Sequence, residues 1–193
     1  MSKENKFVIR NLSAKPRINE FITVTSWRLG KGGFGIVYGG RDERTQGRVA
    51  IKFTQVHESL EKEANALRAI WRRSPARDPP GVPEVIATGQ VEVTDLRFDD
   101  CRRTSSNTWS FLVLTMFEMP FTSYPFLLSL EPRVVLQIGI QALAILRAVH
   151  EAGFVHDDVK PDNFMLGETS GENSYQVKLV DFGLAHSFRD EQG

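Results

Sequence analysis

The sequence predicts an α+β fold of two lobes: a five-stranded antiparallel sheet with one helix, followed by a smaller, mainly helical portion. Three observations predict it. Short runs rich in β-branched and aromatic residues fill the first half, separated by glycines or polar turns. One amphipathic helical pattern, residues 57–72, interrupts them, and the one long apolar run, residues 134–149, falls in the second half. At 193 residues the chain can bury a sizeable core as one domain or two small lobes.

Residues 1–20 read as a polar leader, with no continuous apolar segment of the kind that directs secretion. Residues 21–117 read as the first lobe. Within it FITVTSWRLG, GIVYGG and RVAIKF are three successive antiparallel strands, the last two joined by the turn-like RDERTQG. The helix over residues 57–72 places Leu60, Ala64, Leu67 and Trp71 on one face. Pro75, Pro79, Pro80 and Pro83 end it, because proline lacks the donor and clashes with the preceding turn. PEVIATGQ and WSFLVLTMF complete the five strands, with a long polar connection between them.

Residues 118–193 read as a hinge and a partial second lobe. From Glu131 a helix is predicted, with residues 134–149 buried; Gln137, Gln141 and Arg147 interrupt that run, which is short for a bilayer span. A short strand at Phe154 and Val155 leads into the loop HDDVKPDNF, and FML with VKLVDFG form a hairpin around ETSGENSY.

Lysine plus arginine and aspartate plus glutamate number 24 each, and no block of like charge occurs. The chain therefore lacks the electrostatic footprint of a nucleic-acid or membrane-surface binder. A single cysteine, Cys101, cannot form an intramolecular disulfide, which fits a reducing, intracellular setting.

Several segments carry chemistry. Gly30, Gly32 and Gly35 stand in GxGxxG spacing within LGKGGFGIVY, with Val37 two residues on. A dinucleotide-binding turn would need a helix after the glycines, whereas IVY favours a strand. A glycine flap between strands can bring backbone N–H groups against phosphates. Lys52 ends the apolar run Val49-Ala50-Ile51 and so calls for a partner; Glu63, near the apolar face of the helix, is the first choice and Glu61 the second.

In HDDVKPDNF, Lys160 follows Asp158 by two positions and Asn163 by five, and Asp181 opens Asp-Phe-Gly after an apolar strand. Each cluster alone also reads, less readily, as a solvated turn. Together they supply what phosphoryl transfer needs: a carboxylate for the hydroxyl (Asp158), a cation for the γ-phosphate (Lys160), and oxygen ligands for magnesium (Asn163 and Asp181). His156 reads as a packed, hydrogen-bonded scaffold residue, and Asp162 as a loop residue.

GKGGFGIVY, VAIK, HEAGFVHDDVKPDNFMLG and VDFGLAHSFRD, in that order, make the chain resemble a eukaryotic-type protein kinase. Within that superfamily it resembles the casein kinase 1 group, including the tau-tubulin kinase branch. The resemblance implies a protein-kinase-like two-lobed fold, ATP and Mg2+, and transfer of the γ-phosphate to serine or threonine hydroxyls of a protein substrate, Lys160 being the serine/threonine-type mark. It implies that Leu29, Val37 and Ala50 pack around adenine with Met165 and Val180 beneath, and that Leu114, Thr115, Met116 and Phe117 form the gatekeeper and hinge. Lys31, Gly33 and Phe34 fall within the implied phosphate flap.

Two departures matter. The group usually has arginine where this chain has Asp157, so any activity is expected to be independent of an activation-segment phosphate. The sequence also stops at Gly193, short of the helices that the resemblance implies, which is expected to leave apolar residues of 134–149 exposed. Two further readings follow, a nucleotide-binding scaffold without catalysis and a small-molecule kinase. Lys160, the full glycine loop and Asp-Phe-Gly weigh against the second of these.

Overall fold

The computed structural model describes residues 7–9, 17–33, 35–74, 81–93, 108–117, 119–123, 130–168 and 175–188. Phe34 and the core of the long polar connection, with Cys101, lie outside the described residues. The chain divides into two compact units, Met1–Glu61 with Val85–Met116, and Lys62–Glu84 with Phe117–Gly193.

The first unit is built on a six-stranded sheet of β1 (Phe7–Ile9), β2 (Ile22–Gly32), β3 (Gly35–Asp42), β4 (Gly47–Thr54), β5 (Val85–Val93) and β6 (Thr108–Thr115), in the order β1-β5-β6-β4-β3-β2. The five expected strands pair antiparallel with one another. A sixth comes from the leader, where Phe7–Ile9 runs parallel to β5.

Side chains alternate across the sheet, and one face carries the core of this unit. Ile36, Tyr38, Val49, Ile51, Phe53, Phe111 and Val113 lie there with Ile18, Ile22 and Val24. Each fully buried member contributes roughly 1.5–3 kcal/mol. Tyr38 and Phe53 meet edge to face, ring centroids 6.2 Å apart. The turn after β3 is set by Asp42, buried, whose carboxylate accepts from Arg44 Nε at 3.0 Å and Nη2 at 2.8 Å. Arg44 in turn lies 5.0 Å from the centroid of the Phe21 ring.

Helix α1 (His57–Arg73) buries Leu60, Ala64, Leu67 and Ile70, while Trp71 is half-buried and donates its Nε1–H to the Pro83 carbonyl at 2.8 Å. In the second unit, β7 (Met119–Pro120), β9 (Phe164–Glu168) and β10 (Tyr175–Leu179) form a three-stranded sheet, and β8 (Phe154–Val155) pairs with β11 (His186–Ser187). The Leu179 N–H donates to the Gly81 carbonyl at 2.7 Å, tying the end of β10 to the residues after the proline-rich loop.

Helix α2 (Pro132–Glu151) begins with proline at its first turn, where the missing N–H costs nothing. It is held by Gln141 Oε1, which accepts the Val177 N–H at 3.0 Å, and by Arg73, which donates to the Glu151 carbonyl at 2.9 Å. The expectation of a buried helix is corrected. Only Val134, Ile145 and Val149 are buried, and Val135, Leu136, Ile140 and Leu143 are 52–68% exposed. At 20 residues α2 also exceeds the apolar run itself and is, by length and composition, long and apolar enough to cross a membrane. The exposed apolar patch expected there is present.

Candidate active site

β2 and β3 pair up to Gly32 and Gly35, so Gly30, Gly32 and Gly35 lie in the two strands at the closed end of the hairpin. A strand, not a helix, follows the glycines, which removes the dinucleotide-turn reading. Gly35 has φ 128°, and a Cβ there would run into the Phe53 carbonyl. Around Gly30, Gly32 and Gly33 no atom of the described residues lies within 4 Å of such an added atom, so the flap's backbone is open on that side among the described residues. Lys31 is exposed at its edge.

Cross-strand register sets which side chains share a face. Gly30 pairs with Val37, Val37 with Lys52, and Lys52 with Leu112. Gly39 pairs with Ala50, and Ala50 with Leu114. Val37, Ala50, Lys52 and Leu114 therefore lie together on the face opposite the core, while Thr115 pairs with Val49 on the core side. Leu29 is the extra residue of a bulge between Arg28 and Gly30, a device that re-aims a side chain.

Lys52 is buried at 7% exposure, and its side chain is engaged rather than free. Glu63 is also engaged and only 1% exposed, whereas Glu61 is exposed, which favours Glu63 as the acid with a structural task. Met116 donates its N–H to the Arg48 carbonyl at 3.4 Å. In the second unit, Lys178 Nζ lies 5.8 Å from the centroid of the Phe117 ring, and Met165 pairs across the sheet with both Pro120 and Lys178.

Residues of the loop HDDVKPDNF converge within the second unit. Lys160 Nζ donates to Asp158 Oδ2 at 2.6 Å, and Asn163 Nδ2 donates to the same oxygen at 2.9 Å and to the Asp158 carbonyl at 2.8 Å. The bond from Lys160, then that from Asn163, hold the Asp158 carboxyl below its usual range, while Asp158 raises Lys160 above its own. Both groups are charged at neutral pH.

His156, buried, anchors the loop. Its Nε2 bonds the Val180 carbonyl at 3.1 Å, its Nδ1 accepts the Asp158 N–H at 3.3 Å, and Phe182 packs edge to face at 4.6 Å. Burial lowers its pKa, so the ring is neutral near pH 7. Val180 donates its N–H to the Asn163 carbonyl at 2.8 Å, which joins the loop to Asp181. Asp181 itself has φ 62° and opens a 3-10 turn, Phe182–Leu184.

The donor set fits magnesium. Because Asn163 spends its amide N–H groups on Asp158, its Oδ1 is the atom left for a hard cation, and Asp181 supplies a carboxylate next along the chain from Val180. Two contacts were not foreseen. Asp162 accepts from Thr122 Oγ1 at 3.0 Å, and Asp157 Oδ2 lies 2.7 Å from His186 Nδ1.

The protein kinase domain family matches residues 24–193. The chain belongs to that family. Similar proteins include Casein kinase I homolog 2 of Schizosaccharomyces pombe, 29% identical over 84% of this kinase chain and 34% of that protein. Casein kinase I homolog 2 of Saccharomyces cerevisiae is 26% identical, over 84% of this chain and 27% of its own length. Casein kinase 1-like protein HD16 of Oryza sativa subsp. japonica is 29% identical, over 86% and 23% respectively. These relatives agree with the casein kinase 1 resemblance. The kinase chain spans about a third or less of their length.

Proposed function

We propose that this chain carries the nucleotide flap and catalytic loop of a serine/threonine protein kinase of casein kinase 1 type. The observation that carries this reading is the Asp158 carboxylate held at once by Lys160 and Asn163. A depressed carboxyl suits a group that orients a substrate hydroxyl and takes its proton late, which is the demand of a loose phosphoryl-transfer transition state. Lys160, paired with that carboxylate at 2.6 Å, would bring a cation to the transferred phosphate. Lys52 and the open glycine flap serve the ATP phosphates, and Val37, Ala50 and Leu114 serve adenine. Asn163 and Asp181 would hold magnesium, which supplies charge neutralisation of the phosphates when bound.

An intracellular setting, a protein substrate and no nucleic-acid or membrane partner belong to the same proposal, supported by the single cysteine and balanced charge. A nucleotide-binding scaffold is the second reading, favoured by the exposed face of α2, the helix that precedes the catalytic loop. Two assays separate the readings. Magnesium-dependent ATP binding is expected in the parent and weakened in Lys52→Ala and Asp181→Ala. Phosphate transfer to casein is expected to fall about 10²–10⁴-fold in Asp158→Asn. Equal transfer by parent and Asp158→Asn removes the role given to that carboxylate; ATP binding without transfer by the parent selects the scaffold.

A further inference from the structure

We propose that Asp157 and His186 form a positioning pair that holds the segment after Asp-Phe-Gly against the catalytic loop without a phosphate. The inference rests on the kinase reading for its functional meaning and on local geometry for its existence. His186 Nδ1 and Asp157 Oδ2 are 2.7 Å apart, a charge-assisted hydrogen bond when the ring is protonated and an ordinary one when Nδ1 carries the only proton.

The backbone beneath is a short seam. His186 pairs with Val155 and Ser187 with Phe154, and the Phe188 N–H donates to the Gly153 carbonyl at 3.1 Å. A two-stranded ladder of two residues has little stability of its own, so a side-chain tie across its end shifts its opening measurably. Asp157 has φ 61°, in the left-handed region that Asp, Asn and His enter far more readily than other side chains. The residue type, the backbone and the partner are thus mutually consistent. Where the resemblance expects an arginine that receives a phosphate, this chain places an acid and supplies the partner from its own sequence.

Both side chains are about half exposed, at 45% and 57%, so water screens the pair and the effect is modest. What it restrains is the direction of the chain leaving Asp181, five residues before His186, which makes Asp157 and His186 positioning residues.

Amide hydrogen exchange of the 193-residue chain tests the pair. In Asp157→Gly, which permits the left-handed backbone and removes the acceptor, and in His186→Ala, the Phe188 amide is expected to exchange about two- to fivefold faster. The Leu179 amide, bonded to Gly81, stays at the parent rate. The double variant is expected to exchange no faster than either single one. The exchanged pair, Asp157→His with His186→Asp, returns the parent rate. Single variants at the parent rate, or single effects that add in the double variant, overturn the proposal. Exchange is read without ATP, so a parent that transfers no phosphate overturns the kinase reading alone. Where transfer is present, kcat falls in step with the loss of protection while KM for ATP holds; a kcat untouched by faster exchange overturns the positioning role.

Discussion

Three aspartates in one loop have three different tasks because their neighbours differ. Asp158 is held ionised by Lys160 and Asn163, Asp157 meets His186, and Asp162 accepts from Thr122. That Asp158, Lys160 and Asn163 lie together was legible because spacings of two and five residues within one loop are local. The other two were not, since each depends on a partner that only the folded chain brings near. His156 adds a pH dependence of known sign. Its folded pKa lies below the ordinary 6.5, so the unfolded chain binds the proton first, and stability falls as pH drops through 6.5 toward the folded value. Urea unfolding at pH 7.5 and 5.5 is expected to show a smaller loss in His156→Asn than in the parent, above the range where carboxylates titrate. Equal losses in both would assign the pH dependence elsewhere.

At the scale of elements, strands with a clear period of two and a helix with a clear period of 3.6 were readable. A three-residue strand such as β1 carries no period at all, and its pairing with β5 is settled by tertiary contact. The burial of α2 was misread for a related reason: an apolar composition says that a helix can be covered, not that something covers it. Glycines in the first hairpin separate stability from binding. A Cβ at Gly40 would lie 2.5 Å from both Ile51 Cδ1 and the Thr23 carbonyl, whereas one at Gly32 meets none of the described residues within 4 Å. Gly40→Ala is expected to lose about 1–3 kcal/mol in urea unfolding. Gly32→Ala is expected to stay within about 0.5 kcal/mol of the parent yet bind ATP more weakly, since its methyl intrudes on the flap. Unchanged ATP affinity in Gly32→Ala would return that loop to a plain turn.

For the molecule as a whole, the apolar face of α2 is the feature that composition alone would not place on the surface. Val135, Leu136, Ile140 and Leu143 form a contiguous exposed set, of the kind that drives association of soluble chains. Leu136→Lys with Leu143→Lys is expected to reduce binding of an apolar fluorescent dye and to change stability by no more than about 0.5 kcal/mol per site. A loss of several kcal/mol would mean that the face is packed. The register of β3 on β4 has a consequence of another kind. Lys52 and its neighbours Ile51 and Phe53 alternate between the proposed phosphate side and the core, so a slip by one residue would turn the ammonium into the apolar core and both apolar side chains out of it. An insertion in the turn after Asp42 that shifted this register would therefore damage folding and chemistry together. Inheritance can vary the length of that turn only where the strands keep their alignment, which makes the core a proofreader of the nucleotide site.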